Sequence, residues 1–303
     1  MTSGVHLAAC CDRDAARAET FRTAFGYARA YTDIEEMLAK ERPDAVNLIV
    51  PADVTADLAE SVLLQGIPLM LEKPPGTGGR QVRRLMRAAA AQRTPNMVAF
   101  NRRFLPLVAR LRAELSKYPP ASLRYLRYEL VRVGRIEADF SDTAIHAVDT
   151  ARFLAASPYR EVRFAYQRLP AFGPGVSNIY LRGSFTSGAR FAIDVCPVAG
   201  AVLERAEAHL DGSSYTLHIP IWNEFDAPGR LQRLVDGRAD LDISGADLTS
   251  GPQVFLTGGF YEETAAFFDA IRAGRAPEAD LESSLQSVEI MECIRRRRGR
   301  YRG

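Results

Sequence analysis

Over the first hundred residues, short apolar runs alternate with stretches in which apolar side chains recur every three or four positions. Runs of the first kind read as buried strands at 5–11, 44–50, 67–71 and 97–100, and the second kind as helices over 15–25, 34–40, the stretch from Asp53 to Gln65, and 80–92. Asp33 stands where a helix N-cap belongs and Gly66 where a C-cap belongs, while residues 74–79 form a turn. Strand and helix in strict alternation predict a parallel sheet.

Beyond Arg103 the rhythm changes. A helix over 105–115 leads into period-two alternation at 123–132, where Leu123, Tyr125, Arg127 and Glu129 interleave with Arg124, Leu126, Tyr128 and Leu130. A helix at 142–155 follows, then strand runs at 162–168, 178–186, 190–195, 206–210 and 215–219, with hairpin loops at 186–189 and 211–214. Residues 223–252, rich in Asp, Gly and Pro, read as a loop with little structure, and helices over 261–273 and 281–298 close the chain. The fold expected is α/β plus α+β. Residues 1–103 form a Rossmann-type parallel sheet domain, and residues 104–303 a mostly antiparallel open-sheet domain.

A length of 303 residues fits two domains, and 47% apolar with 25% charged residues excludes collagen-like, disordered and disulfide-scaffold chains. No apolar run approaches a bilayer span, and the start at Met1 has no leader pattern, so a cytoplasmic protein without a membrane partner is expected. Cys10, Cys11, Cys196 and Cys293 lack metal-ligand spacing, so no metal is expected. Arg295, Arg296, Arg297, Arg298, Arg300 and Arg302 crowd the C-terminus, and without those six the net charge of +2 becomes −4. Ending a helix, they suit the negative end of its dipole, and no nucleic-acid partner is expected. Of 39 basic residues only Lys40, Lys73 and Lys117 are lysines, which singles each of them out.

Ligands of doubly wound sheets bind at the carboxyl ends of the strands, which makes Asp12, Arg13, Pro51, Glu72 and Lys73 the candidate cofactor-side residues. An acid at position 12 suits the ribose of NAD, whereas Arg13 suits the 2′-phosphate of NADP; Asp12 equally suits a helix cap. Lys73, held by the turn that begins at Pro74, points an ammonium toward the crevice, where it can polarise a hydroxyl or carbonyl. The turn over 74–79 lacks the lysine and hydroxyl of a phosphate loop. Asp142, His146 and Asp149, spaced four and three apart, share one helical face, an arrangement for a histidine oriented by a carboxylate and able to take a proton. Tyr125, Arg127, Tyr166, Tyr180 and Trp222 are candidates for sugar contact, or for core and interface.

Taken in order, AACCDRD at 8–14, the 31–38 segment, PDAVNLIVP at 43–51, Glu72-Lys73-Pro74, FNRRF at 100–104 and DTAIHAVDTARFL at 142–154 resemble the family of glucose-fructose oxidoreductase, inositol dehydrogenase and the rhizopine-catabolism protein. The resemblance implies a Rossmann domain followed by an α+β domain whose open sheet forms homo-oligomers. It also implies NAD(P)-dependent oxidation of a secondary hydroxyl of a sugar, polyol or cyclitol. Carried over, His146 is the general base, Lys73 anchors substrate and tunes proton transfer, and Asp142 hydrogen-bonds substrate and His146. NAD is favoured slightly over NADP. Thr55 departs from the family, which often carries histidine there.

A larger departure is that no strand with a G-x-G-x-x-G turn precedes Val5. In a sheet ordered 3-2-1-4-5-6 that strand is central and presents a helix N-terminus to the pyrophosphate. Its absence predicts a gap between the strands at 5–11 and 44–50, or a new strand order, and suggests a misassigned start or a truncation. Two alternatives to a dehydrogenase are an NAD-retaining glycoside-cleaving enzyme of the same fold and a non-catalytic homologue that has lost cofactor binding.

Overall fold

Asp14 and Asp33 start the first two helices with their own carboxylates. Asp14 accepts from the backbone N–H of Ala16 and Arg17 ahead of α1 (Ala15–Phe25), and Asp33 from Glu36 ahead of α2 (Ile34–Glu41). These helices follow β1 (Ala9–Cys11) and β2 (Arg29–Tyr31). The computed structural model describes residues 4–303, so the reading of the start at Met1 lies outside the described residues. The run at 5–11 yields only three residues of strand, because its first half bonds Leu7 and Ala8 carbonyls to Ala28 and Arg29 without completing a ladder.

The parallel pattern continues through β3 (Val46–Leu48), α3 (Ala52–Leu64), β4 (Leu69–Glu72), α4 (Gly79–Gln92) and β5 (Asn96–Ala99). β1 pairs with β2, and β3 with β4 and β5, all parallel, but no ladder joins β1 to β3 among the described residues. Of the two outcomes the sequence allows, the structure has the gap.

After α5 (Pro106–Leu115), a single sheet contains the remaining strands: β6 (Leu123–Val131), β7 (Tyr159–Arg168), β8 (Ser177–Phe185), β9 (Arg190–Cys196), β10 (Leu203–Leu210), β11 (Ser213–Ile219), β12 (Arg230–Val235), β13 (Arg238–Ser244) and β14 (Arg300–Arg302). Their order is β13-β12-β11-β10-β6-β9-β8-β7-β14, antiparallel except for β6 with β9. One face packs on α5 and α6 (Ser141–Ala155), burying Leu126, Tyr128, Leu130, Leu181, Ile193 and Leu217 with Val148 and Leu111. The other carries ion pairs such as Arg127–Glu129 and Arg182–Asp194.

Two readings need correction. Residues 223–252 are not a structureless loop, since β12 and β13 form a hairpin there. Its turn at Asp236-Gly237 has φ +50° and +73°, as a two-residue hairpin turn requires. The strands escape an apolar pattern because cross-strand pairs, Arg230–Asp242 and Arg233–Asp240, occupy the positions where hydrophobic residues would alternate. The final helix, α9 (Leu281–Arg295), stops before the arginine run ends, and β14 then bonds to β7. The arginines are therefore structural contacts: Arg297 bonds Ser177 Oγ and the Ala138 and Gly175 carbonyls and lies over the Tyr166 ring, and Arg300 pairs with Glu161.

Helices α7 (Val254–Thr257), α8 (Phe260–Arg272) and α9 turn back onto the first domain. Leu281, Val288 and Met291 of α9 join the core of β3, β4, α3 and α4, and Phe267 packs on Met70 and Met97. The carbonyl of Ala279 accepts from Val98 N–H at 2.7 Å, so the chain's end braces the free edge of β5.

Candidate active site

Strand β4, with Leu69 and Leu71 fully buried, carries Glu72 and then Lys73 out at its carboxyl end, where the Lys73–Pro74 peptide is cis. Lys73 Nζ donates to the Asp142 carbonyl at 2.9 Å, which ties the first domain to the start of α6. Burial pushes the Lys73 pKa down; Glu72 and Asp142 oppose this and Arg102 and Arg135 add to it. The Glu72 carboxylate accepts from the Lys73 backbone N–H at 3.1 Å, and burial pushes its own pKa up against the pull of Lys73.

His146 lies on the buried face of α6, 8% exposed, with Nδ1 enclosed and without a hydrogen-bond partner. Burial holds its pKa well below 6.5, and the charges of Arg102, Lys73 and Arg132 act the same way. The imidazole is neutral near pH 7. Neither acid of the 142/146/149 spacing orients it. The Asp142 carboxylate, expected to bond His146, is drawn to Arg295 of α9 at 2.6 Å, and Asp149 is taken by Arg103 at 2.6 and 2.7 Å and by Ser287 at 2.9 Å. A shared helical face sets proximity, but a guanidinium on a neighbouring element outcompetes a ring four residues away.

Four residues at the site were not singled out from the sequence. Arg102, in the 3-10 turn after β5, and Arg132, just after β6, both donate to Glu204 of β10, which also accepts from Tyr128 Oη at 2.6 Å. Burial pushes the Glu204 pKa up, but the charges of Arg102 and Arg132 override it and hold it at about 2. Arg295 bonds Asp139, Asp142 and the Thr77 carbonyl together. The FNRRF string was the only sequence signal, and nothing in it points to Glu204 more than a hundred positions away.

On the cofactor side, Asp12 ends β1 half-buried, accepting from Asp14 N–H at 2.9 Å, with Arg13 exposed beside it. Pro51 is the N-cap of α3, which has no side-chain cap, so the first backbone N–H groups of α3 stand open at the end of β3. These groups fit a ribose and an anion. By contrast, the described residues offer no glycine turn between β1 and β3 to cradle a diphosphate. The 74–79 turn does not replace it, because Glu292 already accepts from Gly79 N–H at 3.0 Å. Among the sugar-contact candidates only Trp222 reaches this region, its half-exposed ring 5.3 Å from the Arg132 guanidinium carbon. Tyr125 stacks on His209, Arg127 pairs with Glu129, Tyr180 bonds Gln167, and Tyr166 bonds the Arg298 carbonyl.

A parallel-sheet domain joined to an open antiparallel sheet, with Lys73 tied to the start of the helix that carries His146, is the architecture of two-domain nucleotide-binding oxidoreductases. The model of the oxidoreductase family with an NAD-binding Rossmann fold, Gfo/Idh/MocA, matches residues 1–100. Inositol 2-dehydrogenase of Corynebacterium glutamicum is 29% identical over 173 residues, 55% of this chain and 51% of that protein, so the chain spans about half the length of this relative. D-xylose 1-dehydrogenase (NADP(+)) 2 of Haloferax volcanii is 26% identical over 95% of this chain and 88% of its own. The crystal structure of a dehydrogenase from Chromobacterium violaceum shares the fold, with a TM-score of 0.83 at 19% identity over 98% of this chain and 89% of that one. No helix of the described residues is long and apolar enough to cross a membrane.

Proposed function

We propose that the protein oxidises a secondary hydroxyl of a sugar, polyol or cyclitol, with His146 as general base and Lys73 as the group that fixes and polarises the hydroxyl. The observation that carries this reading is that the half-buried Lys73 ammonium at the end of β4 is bonded to the start of α6, whose His146 carries an unprotonated imidazole. The family-model match over residues 1–100 and the names of the relatives support it.

A nicotinamide dinucleotide would supply the hydride acceptor. Asp12 or Arg13 would hold its adenosine end, and Pro51, Glu72 and Lys73 border the crevice. The described residues fit the ends of that group and not its diphosphate, so the proton chemistry is what the chain's own side chains supply. Lys73 Nζ keeps only the neutral Asp142 carbonyl as a hydrogen-bond partner among the described residues, which leaves donors for a substrate oxygen. Its positive charge lowers the pKa of the hydroxyl it touches. His146 Nε2, the ring nitrogen not enclosed by protein, accepts the hydroxyl proton. We further propose a homo-oligomer formed through the nine-stranded sheet.

The test is a panel of cyclitols, aldoses and polyols with NAD+ and NADP+, followed by reduced nicotinamide. Oxidation of at least one is expected, with kcat/KM falling about 10²–10⁴-fold in Lys73→Ala and His146→Gln. Full turnover in His146→Gln would overturn the assignment.

A further inference from the structure

Trp222 is the only tryptophan in the chain, and it is half-exposed although it belongs to a residue type that proteins usually enclose. It follows β11 at a point where Trp222 and Asn223 take φ of +50° and +59°, a left-handed region that bulky side chains rarely enter. The backbone is pinned there, with Glu224 N–H donating to the Ile221 carbonyl at 2.9 Å and Asn223 Nδ2 to the Pro252 carbonyl at 2.9 Å. Beneath one face of the ring lies the Arg132 guanidinium, its carbon 5.3 Å from the ring centroid. That cation belongs to a residue 1% exposed and is fixed by the Val131 carbonyl at 2.8 Å and by Glu204. The ring is held by its backbone and by the cation under it, and it turns the rest of its surface to solvent.

The surrounding elements place this ring. β4 and β5 run parallel with Glu72 opposite Ala99, so Lys73 and Arg102 leave the carboxyl ends of neighbouring strands of the first domain. Arg102 donates to Glu204 at 2.9 Å, and Glu204 also holds Arg132, so the contacts beneath Trp222 cross from one domain to the other. From Arg132 the chain runs on to Arg135, whose guanidinium reaches Thr143 Oγ1 at 3.5 Å. Thr143 follows Asp142, whose carbonyl accepts from Lys73 Nζ at 2.9 Å. Trp222 therefore stands on the second domain at the join whose other side carries Lys73.

We propose that Trp222 is a specificity-determining wall of this crevice: its open face stacks on the C–H face of a cyclic substrate, a pyranose or cyclitol ring, and so favours rings over open-chain polyols. This rests on the reading of the protein as an oxidoreductase of hydroxylated substrates and names which of them fit. Axial C–H bonds give such a ring an apolar face of fixed shape, with the hydroxyls directed outward around its edge. The negative π face of an indole attracts those weakly positive hydrogens, and stacking removes both apolar faces from water. An open-chain polyol has no such face until several torsions are fixed, and that ordering offsets the affinity that stacking adds. The indole loses little freedom in return, because its backbone and Arg132 already hold it.

With one tryptophan in the chain, fluorescence reports this ring alone. The whole chain is titrated with myo-inositol, D-glucose and D-xylose and with open-chain sorbitol and glycerol, and the titration is repeated in His146→Gln with NAD+, where turnover does not consume the ligand. A saturable change in emission is expected with at least one cyclic compound and none with the open-chain ones over the same range. For a cyclic substrate, Trp222→Ala is expected to raise KM about tenfold with kcat changed less than about threefold, and Trp222→Phe, which keeps a flat ring, to restore most of the loss. Emission unmoved by a compound that the protein oxidises, an equal response to sorbitol, or an unchanged KM in Trp222→Ala overturns the proposal, and the function stands if His146→Gln is inactive. A saturable response to a cyclic compound when nothing is oxidised with either dinucleotide overturns the function, and the role of Trp222 in that reaction with it.

Discussion

The two sheets of this protein solve the same problem unequally. In the nine-stranded sheet every strand between the edges β13 and β14 is bonded on both sides, and one face is sealed by α5 and α6. In the first domain only β4 has two strand neighbours among the described residues, and β1 and β3 leave unpaired edges toward each other. Apolar side chains on that side lie in solvent: Ile49 is 67% exposed, and Phe21 and Phe25, 4.5 Å apart, are 45% and 55% exposed. What holds the first domain is therefore the end of the chain. α8 and α9 pack on β4, β5 and α4, whereas β1 and β2 reach that core through the partly buried Ala9 and Tyr31. Lys73, one of the proposed acid/base pair, lies in the braced half, and His146, the other, on α6 of the second domain. Asp12, the candidate ribose contact, lies in the half around β1.

The sharpest way to break that comparison is to cut the brace. Asp149 is 1% exposed and receives both arms of Arg103 and the Ser287 hydroxyl, locking α6 to α9 and to the turn after β5. Asp149→Asn leaves a buried guanidinium uncompensated and is expected to cost about 3–5 kcal/mol in denaturant unfolding. A loss under about 1 kcal/mol would mean that the domains do not lean on each other here.

The same contrast explains what the sequence made legible. Short-range chemistry was readable: the cap Asp33, the helix over 15–25 and the strand-end Lys73 all follow from residues within a few positions of one another, whereas Gly66, read as a C-cap, lies one residue past the cap Gln65. The gap between β1 and β3 followed from the missing glycine turn. The three-residue β2 was invisible because so short a run carries no periodicity, and the β12–β13 hairpin because arginine and aspartate fill its alternation, although Asp236-Gly237 was a signal available to be read. Arg102, Arg132 and Glu204 form a site only once β6 pairs with β10, a register no local pattern encodes. The helical spacing of Asp142 and His146 was real but misled about partners, since Arg295 arrives from the far end of the chain.

A smaller effect tests the second domain by pH. Burial first, and Arg102, Lys73 and Arg132 after it, depress the His146 pKa in the fold, whereas the unfolded chain binds that proton near pH 6.5. Between those two midpoints the unfolded state holds more protons. Stability from this group is therefore complete above about pH 6.5 and falls as the pH drops, by at most about 1.4 kcal/mol per pH unit until the folded midpoint is passed. His146→Gln is expected to flatten that slope in urea midpoints measured from pH 7 to pH 5. An unchanged slope would mean that the second domain does not bury a neutral imidazole.

The smallest effect is the most diagnostic for the weaker sheet. Leu181 in β8 is fully buried in the larger core, and Leu181→Ala is expected to cost about 2–5 kcal/mol. Ile49, directly after β3, carries a side chain of similar size, yet it is mostly in water. Ile49→Ser should change stability by no more than about 0.5 kcal/mol, because it removes no buried surface and breaks no ladder. Paired denaturation curves decide the matter. If Ile49→Ser costs as much as Leu181→Ala, something covers Ile49 in solution, and the two sheets are more alike than their hydrogen-bonding suggests.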